Sequence, residues 1–385
     1  MGNDESMFSI IIISYRKFDF IYQAIDSVLQ QNYTNIELII SDDGSIDFPE
    51  HNIKKYIDKH KKNNINSVII HREKENCGTV KHLNNVKPYI NGKYYMILAA
   101  DDMLYDSNVI DQFVLGFGKA PMNCYIQMSQ TGMYDYELKN LDYYYLIPNV
   151  RKVLEENNNN LDLYNLIVYM PFLPTNSTCF RREFIELYGD FDEKYKLIED
   201  SPMHLRISRQ NWLIHYENFV GVKHRDGGIS HGSINGISKS NYWFMCDLLK
   251  MRNEEKKYYH LLKPEVRSKV KCFVKSERLR LEPQIWEYEK KPKILNVIHH
   301  PVYYSIGLLQ RIADKGLSLL KILTLVILFI CFNGPNINKF LNNNFSLSDN
   351  FILHFIIIPA LVCYVICFIG RGLAKIECFP QDLAC

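Results

Sequence analysis

The sequence predicts an α/β fold: a mostly parallel sheet flanked by helices, followed by an apolar, helical C-terminal segment. Three observations predict it. Short β-branched apolar runs alternate with helix-period stretches between Phe8 and Ala99, the pattern of βαβ units with right-handed crossovers. Two of those runs end in paired carboxylates, Asp42-Asp43 and Asp101-Asp102. Parallel strands present their carboxyl ends to one crevice, where open α/β sheets bind ligands. Finally, the chain from Leu317 onward turns strongly apolar.

In chain order, Phe8–Ser14 reads as the first strand. Phe20, Ile21, Ala24, Ile25, Val28 and Leu29 fall on one helical face, with Asp19 placed to cap that helix. Ile36–Ile40, Ser67–His71 and Tyr94–Ala99 continue the strands, and Ile53–Lys62 is a polar helix between the first two of these. A helix near Asn108–Gly116 and a strand near Cys124–Met128 follow. Asn157–Asn160 reads as a loop, Phe180–Leu187 as a helix and Gly189–Asp192 as a turn. The next helix begins near Ser201-Pro202, because proline suits the first helical position. Gly227–Ser233 is glycine-rich, and Tyr242 to His300 is charged and helix-compatible without a chemical motif. Three segments result: an α/β domain over 1–240, a helical extension over 241–310 and an apolar pair of helices over 311–385.

The bulk numbers narrow the function classes. A net charge of +2 over 385 residues argues against a nucleic-acid binder, which carries a clustered basic excess. The ten cysteines show no metal-type spacing, and the acidic opening Met1–Ser6 runs straight into a strand pattern. A reducing, cytosolic setting for the α/β domain is expected.

Leu317–Phe332 is apolar apart from Lys321, and Phe351–Gly370 has His354 as its polar interruption. At 1.5 Å per residue the second segment reaches about 30 Å, a bilayer core, and the first falls a little short. Arg311, Lys315 and Lys321 lie at the near side of the first and Arg371 and Lys375 beyond the second. The positive-inside rule then predicts a membrane hairpin with both ends in the cytoplasm. Segments lying flat in the interface, or packed as soluble core helices, are the alternatives.

The acidic strand ends carry a family resemblance. Phe8-Ser-Ile-Ile-Ile-Ile-Ser14-Tyr15-Arg16, Ala24-Ile-Asp-Ser27-Val28-Leu29-Gln30-Gln31, Ile39-Ile40-Ser41-Asp42-Asp43-Gly44-Ser45, Asn76-x-Gly78-x₅-Asn84 and Leu98-Ala-Ala-Asp101-Asp102 resemble family 2 glycosyltransferases of the GT-A fold, a Rossmann-like nucleotide-diphospho-sugar transferase fold. The resemblance extends to about His231. It implies that Tyr15 and Asp43 hold the nucleobase and ribose of a donor, that Asp101 binds the ribose side, and that Gly78 allows close backbone approach. Lys81 reaches donor phosphate or sits on a solvated helix face. Asp102 becomes the nearest ligand of a divalent cation, Mn²⁺ or Mg²⁺, which neutralises charge on the leaving diphosphate. Many relatives carry a further Asp where this chain has Ala99, so the acidic motif here is reduced to the pair.

Asp190-Phe-Asp192-Glu193 and Ile198-Glu199-Asp200 resemble the segment that carries the family's general base. Asp200 fits that role, with a helix cap as its structural alternative, and Glu199 would orient the acceptor or Asp200. His224-Arg225-Asp226-Gly-Gly-Ile-Ser230-His231 resembles the loop after the last core strand. It implies His224 as a further metal ligand, or a surface residue, and Arg225 as a partner of the diphosphate.

The implied function is inverting transfer of a sugar from a nucleotide-diphosphate donor, UDP-type, to a glycan or lipid-linked acceptor in surface-polysaccharide synthesis at the cytoplasmic membrane. Two alternatives are transfer to polyprenyl phosphate itself and a non-catalytic membrane-bound scaffold of the same fold. A processive synthase is set aside, because Arg209-Gln-Asn-Trp212 lacks the Gln-x-x-Arg-Trp spacing. A nicotinamide oxidoreductase is set aside because no G-x-G-x-x-G follows the first strand.

Overall fold

A computed structural model of the chain describes residues 6–156, 160–168, 173–226 and 238–305. It divides into two compact units, Met1–Tyr288 and Glu289–Cys385. The first begins with β1 (Phe8–Ser14), α1 (Ile21–Leu29), β2 (Ile36–Asp42), α2 (Glu50–His60), β3 (Ile65–Arg72), α3 (Thr79–Val86) and β4 (Tyr94–Ala99). It continues with β5 (Met103–Leu104), α4 (Val109–Lys119), β6 (Ile126–Tyr134), β7 (Leu141–Tyr144), α5 (Pro148–Glu156) and α6 (Asn160–Ile167). Then come β8 (Thr178–Arg181), α7 (Glu183–Tyr188), α8 (Asp200–Arg209), β9 (Ile214–Arg225), α9 (Lys239–Glu255) and α10 (Pro264–Tyr288). In the second unit α11 (Lys293–His299) precedes further helical residues at 301–305.

The strands form one sheet in the order β3-β2-β1-β4-β8-β6-β9-β5, with β7 also on β6. The first four are parallel, as the alternating pattern predicts. The sheet as a whole is mixed, which corrects the expectation of a mostly parallel one. β8 runs antiparallel to both β4 and β6, β5 is antiparallel to β9, and β7 is antiparallel to β6. The reason lies in the segment expected to be helical from Phe180. Its first residues, Phe180 and Arg181, are buried together with Thr178 and Cys179 and take up backbone pairing with β4 and β6 on either side. The helix starts only at Glu183.

Both faces of the sheet are covered. Phe8, Ile10 and Ile12 pack with α1, α2 and α4 on one side, while Ile11, Ile39 and Tyr95 pack with α3, α6 and α8 on the other. Alternate side chains of a strand point to opposite faces, so a strand buried on both reads as a continuous apolar run. Asp19 does not cap α1; the cap residue is Phe20, with no side-chain hydrogen bond. α8 likewise begins earlier than proline placement suggests, with Asp200 as its first residue and Pro202 inside the first turn.

Among the described residues no helix is long and apolar enough to cross a membrane. The segments Leu317–Phe332 and Phe351–Gly370, and the glycine-rich stretch from Gly227 to Ser233, lie outside the described residues.

Candidate active site

The site is built where the parallel half of the sheet meets the mixed half. β4 ends at Ala99 and the chain turns through Asp101 and Asp102 into β5. Because β5 pairs antiparallel with β9, with Met103 opposite Lys223 and Leu104 opposite Val222, the next step along places Asp102 beside His224. The two side chains meet, with His224 Nδ1 2.9 Å from Asp102 Oδ2. Asp102 Oδ2 also accepts from Asn176 Nδ2 at 3.3 Å, and Oδ1 accepts from the Arg225 backbone N–H at 3.1 Å. The carboxylate is only 1% exposed. Burial opposes protonation of His224, but the charge of Asp102 and the hydrogen bond to it outweigh that and raise its pKa. Asp101 is pushed the same way, by burial first and by Asp102 second.

β8 enters antiparallel to β4, so the single 3-10 turn before it, Thr175–Ser177, lies at the carboxyl end of β4. Asn176 therefore reaches Asp102, and its side-chain Oδ1 accepts from Thr131 Oγ1 at 2.8 Å. Its neighbour Thr175 donates from Oγ1 to Asp200 Oδ2 at 3.2 Å. Adjacent residues of one turn thus hold the cation-type carboxylate and the base-type carboxylate. Asp200 Oδ1 accepts from the Ser201 N–H at 2.5 Å and from Ser201 Oγ at 3.2 Å. Among the described residues Oδ2 has one donor, Thr175, which leaves a lone pair for a substrate hydroxyl.

Two titratable groups surround Asp200. Glu199 is pushed up to about 8, by burial and then by the charge of Asp200. His204, one helical turn on, is pushed down to about 4 by burial. Its side chain is fully buried, and among the described residues neither ring nitrogen has a hydrogen-bond partner.

The nucleotide-type motifs interlock as a frame. Asp43 Oδ1 accepts from the Cys77 N–H at 2.8 Å and its thiol at 3.2 Å, and Oδ2 accepts from Asn76 Nδ2 at 2.7 Å and the Gly78 N–H at 3.0 Å. A carboxylate offers about four acceptor positions, so those of Asp43 are taken up inside the protein. Instead of an open nucleobase acceptor, the structure shows a clasp between the β2 turn and the start of α3. Gly78 sits at φ 88°, and a Cβ there would lie 2.7 Å from the Lys196 carbonyl oxygen. The close approach it permits is to the loop leading to Asp200. Asn84 fixes the start of that loop, donating to the Phe191 carbonyl and accepting from the Phe191 N–H, both at 2.9 Å.

Arg225 is held from three sides. Nε donates to the Asp101 carbonyl at 2.9 Å, Nη2 to Gln23 Oε1 at 2.8 Å and Nη1 to the Tyr136 carbonyl. The guanidinium carbon lies 3.5 Å from the Phe20 ring centroid. With three of its five N–H donors engaged in these bonds and the side chain buried, Arg225 braces the acidic turn. Tyr15 is half-buried after β1, the Arg16 guanidinium carbon 5.1 Å from its ring centroid. The turn N–H of Asp43 donates to the Ser14 carbonyl at 3.0 Å, which keeps Tyr15 next to the acidic turn. Lys81 is exposed on α3, and His231 lies outside the described residues.

The donor set fits a divalent cation. Asp102 and His224, a carboxylate and an imidazole side by side, are oxygen and nitrogen donors of the kind such an ion takes. Among the described residues no group of three or more His, Cys, Asp or Glu side chains forms a metal cage. A cation shared with substrate phosphate needs only one or two protein carboxylates.

Known proteins resemble the chain over the part that builds this site. Residues 9–173 match the family model described as Glycosyl transferase family 2. Over that stretch the chain is similar to the glycosyltransferases of family 2. The transferase is 26% identical over 253 residues to an uncharacterized glycosyltransferase of Rickettsia typhi, covering 64% of this chain and 73% of that one. It is 24% identical over 306 residues to an uncharacterized glycosyltransferase of Haemophilus influenzae, covering 77% and 86% respectively. Among solved structures, residues 1–349 of S. aureus TarS superpose with a TM-score of 0.50 at 13% identity, over 76% of the transferase and 78% of that chain. That likeness carries the GT-A type of α/β fold.

Sequence reasoning missed Thr131, Thr175, Asn176 and Asp247 of the transferase. Pro174-Thr-Asn-Ser177 is a polar turn between apolar runs, a signal that marks a turn but not its neighbours. Asp247, on α9, is 1% exposed and accepts the N–H groups of Lys196 and Leu197, both at 2.7 Å. It has no local signature.

Proposed function

We propose that the transferase moves a sugar from a nucleotide-diphosphate donor, UDP-type, to an acceptor hydroxyl with inversion, in assembly of a surface glycan. The observation that carries this reading is the turn at Thr175-Asn176, which holds Asp200 and Asp102 in one site. Inversion needs one displacement and one base. Asp200 accepts the acceptor's proton as its oxygen attacks the anomeric carbon, and the nucleoside diphosphate leaves from the other side. Asp102 and His224 would hold Mn²⁺ or Mg²⁺, which supplies positive charge opposite the departing diphosphate. Asn176 keeps Asp102 oriented, and Arg225 keeps the acidic turn rigid from behind.

The acceptor side of the proposal, a glycan or lipid-linked glycan at the cytoplasmic membrane face, is supported by the apolar segments after Leu317 and their basic flanks.

The test is thermal unfolding of the full chain against nucleotide sugars, with and without Mn²⁺. A bound donor raises the apparent Tm by mass action, about 2.7 kcal/mol at a hundredfold excess over Kd. A UDP-sugar that protects the wild-type chain in the presence of Mn²⁺, and protects Asp102→Ala far less, is the expected result. Equal protection of both would overturn the cation role, and no protection by any nucleotide sugar would overturn the donor reading. Slow hydrolysis of the protecting donor separates an enzyme from a scaffold.

A further inference from the structure

β7 is exposed at every residue, so it gains little from packing, yet three of the residues from Leu141 to Tyr145 are tyrosines. The strand register decides where they point. Tyr143 pairs with Met133, and Met133 pairs in turn with His224 on β9. Directly paired residues share a face of the sheet, so Tyr143 stands on the face that carries the Asp102–His224 pair. Two strand spacings, about 10 Å, separate Tyr143 from His224.

Two residues on, about 7 Å along the strand, the Tyr145 N–H donates to the Thr131 carbonyl at 3.0 Å. The Thr131 hydroxyl is the one that orients Asn176. Burial and then the charge of Asp200 raise the pKa of the Tyr145 phenol, which places that phenol in the field of the base. Tyr144 and Leu141 pair with Gly132 and Tyr134 and lie on the opposite face. Tyr143 is 54% exposed and Tyr144 48%, so one ribbon carries a site-facing and an outward-facing tyrosine of similar exposure.

We propose that Tyr143 and Tyr145 form the acceptor subsite, with a pyranose ring of a carbohydrate acceptor stacked on Tyr143 and its reacting end hydrogen-bonded by Tyr145 beside Asp200. A pyranose presents an apolar C–H face and a polar rim. A tyrosine ring offers the matching apolar face with a hydroxyl at its edge. A bare polyprenyl phosphate would call for cationic side chains at this position, and the site-facing row Tyr143–Met133 supplies none. This inference rests on Asp200 being the base.

The experiment uses the full chain with its protecting nucleotide sugar and a panel of hexose and N-acetylhexosamine oligosaccharides, with short-chain polyprenyl phosphate as competitor. Tyr143→Ala should raise the acceptor KM about three- to tenfold, the size of an aromatic stacking contact, with kcat at saturating acceptor changed much less. Tyr143→Phe should stay within about twofold of wild type, and Tyr144→Ala, on the other face, should match wild type. An unchanged acceptor KM in Tyr143→Ala, an equal effect of Tyr144→Ala, or transfer by the wild-type chain to polyprenyl phosphate and to no saccharide would each overturn the subsite. Failure of nucleotide sugars to protect the wild-type chain strikes the donor reading instead, so the two failures are told apart.

Discussion

The segment from β1 to β4 and the helical segment of α9 and α10 belong to one compact unit but are held by different forces. In the first, Ile10, Ile11, Ile12, Leu38, Ile39 and Ile40 are fully buried, and apolar transfer at about 25 cal/mol per Å² dominates. In the second, buried ion pairs make the joints. Arg252 Nε lies 2.8 Å from Glu277 Oε2, linking α9 to α10, and Arg252 Nη1 donates to the Val168 carbonyl at 2.7 Å. Arg209 on α8 grips both oxygens of Glu255 at 2.5 and 2.6 Å, and Tyr164 on α6 donates to the same carboxylate at 3.0 Å. A buried ion pair contributes little net stability, but losing one partner leaves a charge stranded in low dielectric. The first segment therefore tolerates conservative change, while the second is brittle, and the second holds the helix that carries Asp200.

The largest effect expected tests whether that helix matters for chemistry. Asp200→Asn should lower turnover of bound donor by about 10²–10⁴-fold with donor-induced Tm protection intact. If turnover survives while the Tm drops, Asp200 is a helix-start residue and the extension supports structure alone.

Next in size is the contrast in brittleness. Arg252→Met should cost about 3–5 kcal/mol in denaturant unfolding, and adding Glu277→Leu should recover most of it. Ile12→Val in the first segment should cost about 0.5–1.5 kcal/mol. Comparable losses from Arg252→Met and Ile12→Val would erase the distinction.

Asp247→Asn sharpens it further. The amide keeps the size but loses the charge that receives two N–H groups, at a cost of about 1–3 kcal/mol. Turnover should fall as the loop before Asp200 loosens, with the donor KM unmoved. A fall in donor affinity instead would show that this loop serves the nucleotide.

The smallest effect is a pH slope. Glu199, at about 8 against an ordinary 4.5, keeps a proton in the folded chain that the unfolded chain has lost. Its contribution is complete below about pH 4.5 and is lost as pH rises through 8. His204, at about 4 against 6.5, stays neutral when folded, so its contribution is complete above pH 6.5 and fades as pH falls towards 4. Between pH 6.5 and 8 the Glu199 slope is unopposed by His204. The Tm should decline across that window, and Glu199→Gln should flatten the decline; an identical slope in the variant would remove Glu199 from the account.

Much of the first segment was legible because its physics is periodic. β1 and β4 have the bounds that the apolar runs predict, and the acidic strand ends meet the sheet edge as parallel strands require. Asp102, His224 and Asp200 were legible as residue types at strand and helix ends. What local pattern did not show were partners that lie far away in sequence. Asp43 and Gly78 read as donor contacts, yet they clasp the frame, and Arg225 read as a diphosphate ligand while three of its donors go to Asp101, Tyr136 and Gln23.

By itself, then, the sequence determined the alternation of strands and helices, the acidic chemistry at their ends and the family those motifs resemble. These depend on side-chain period and residue type, which the chain carries locally. Only the tertiary structure decided that β8 inserts antiparallel between β4 and β6, and with it that Thr175 and Asn176 stand between the two carboxylates. It also decided that Asp247 secures the loop before Asp200. Such placements follow from strand register and from pairings between residues far apart in the chain, and neither leaves a periodic trace in the order of amino acids.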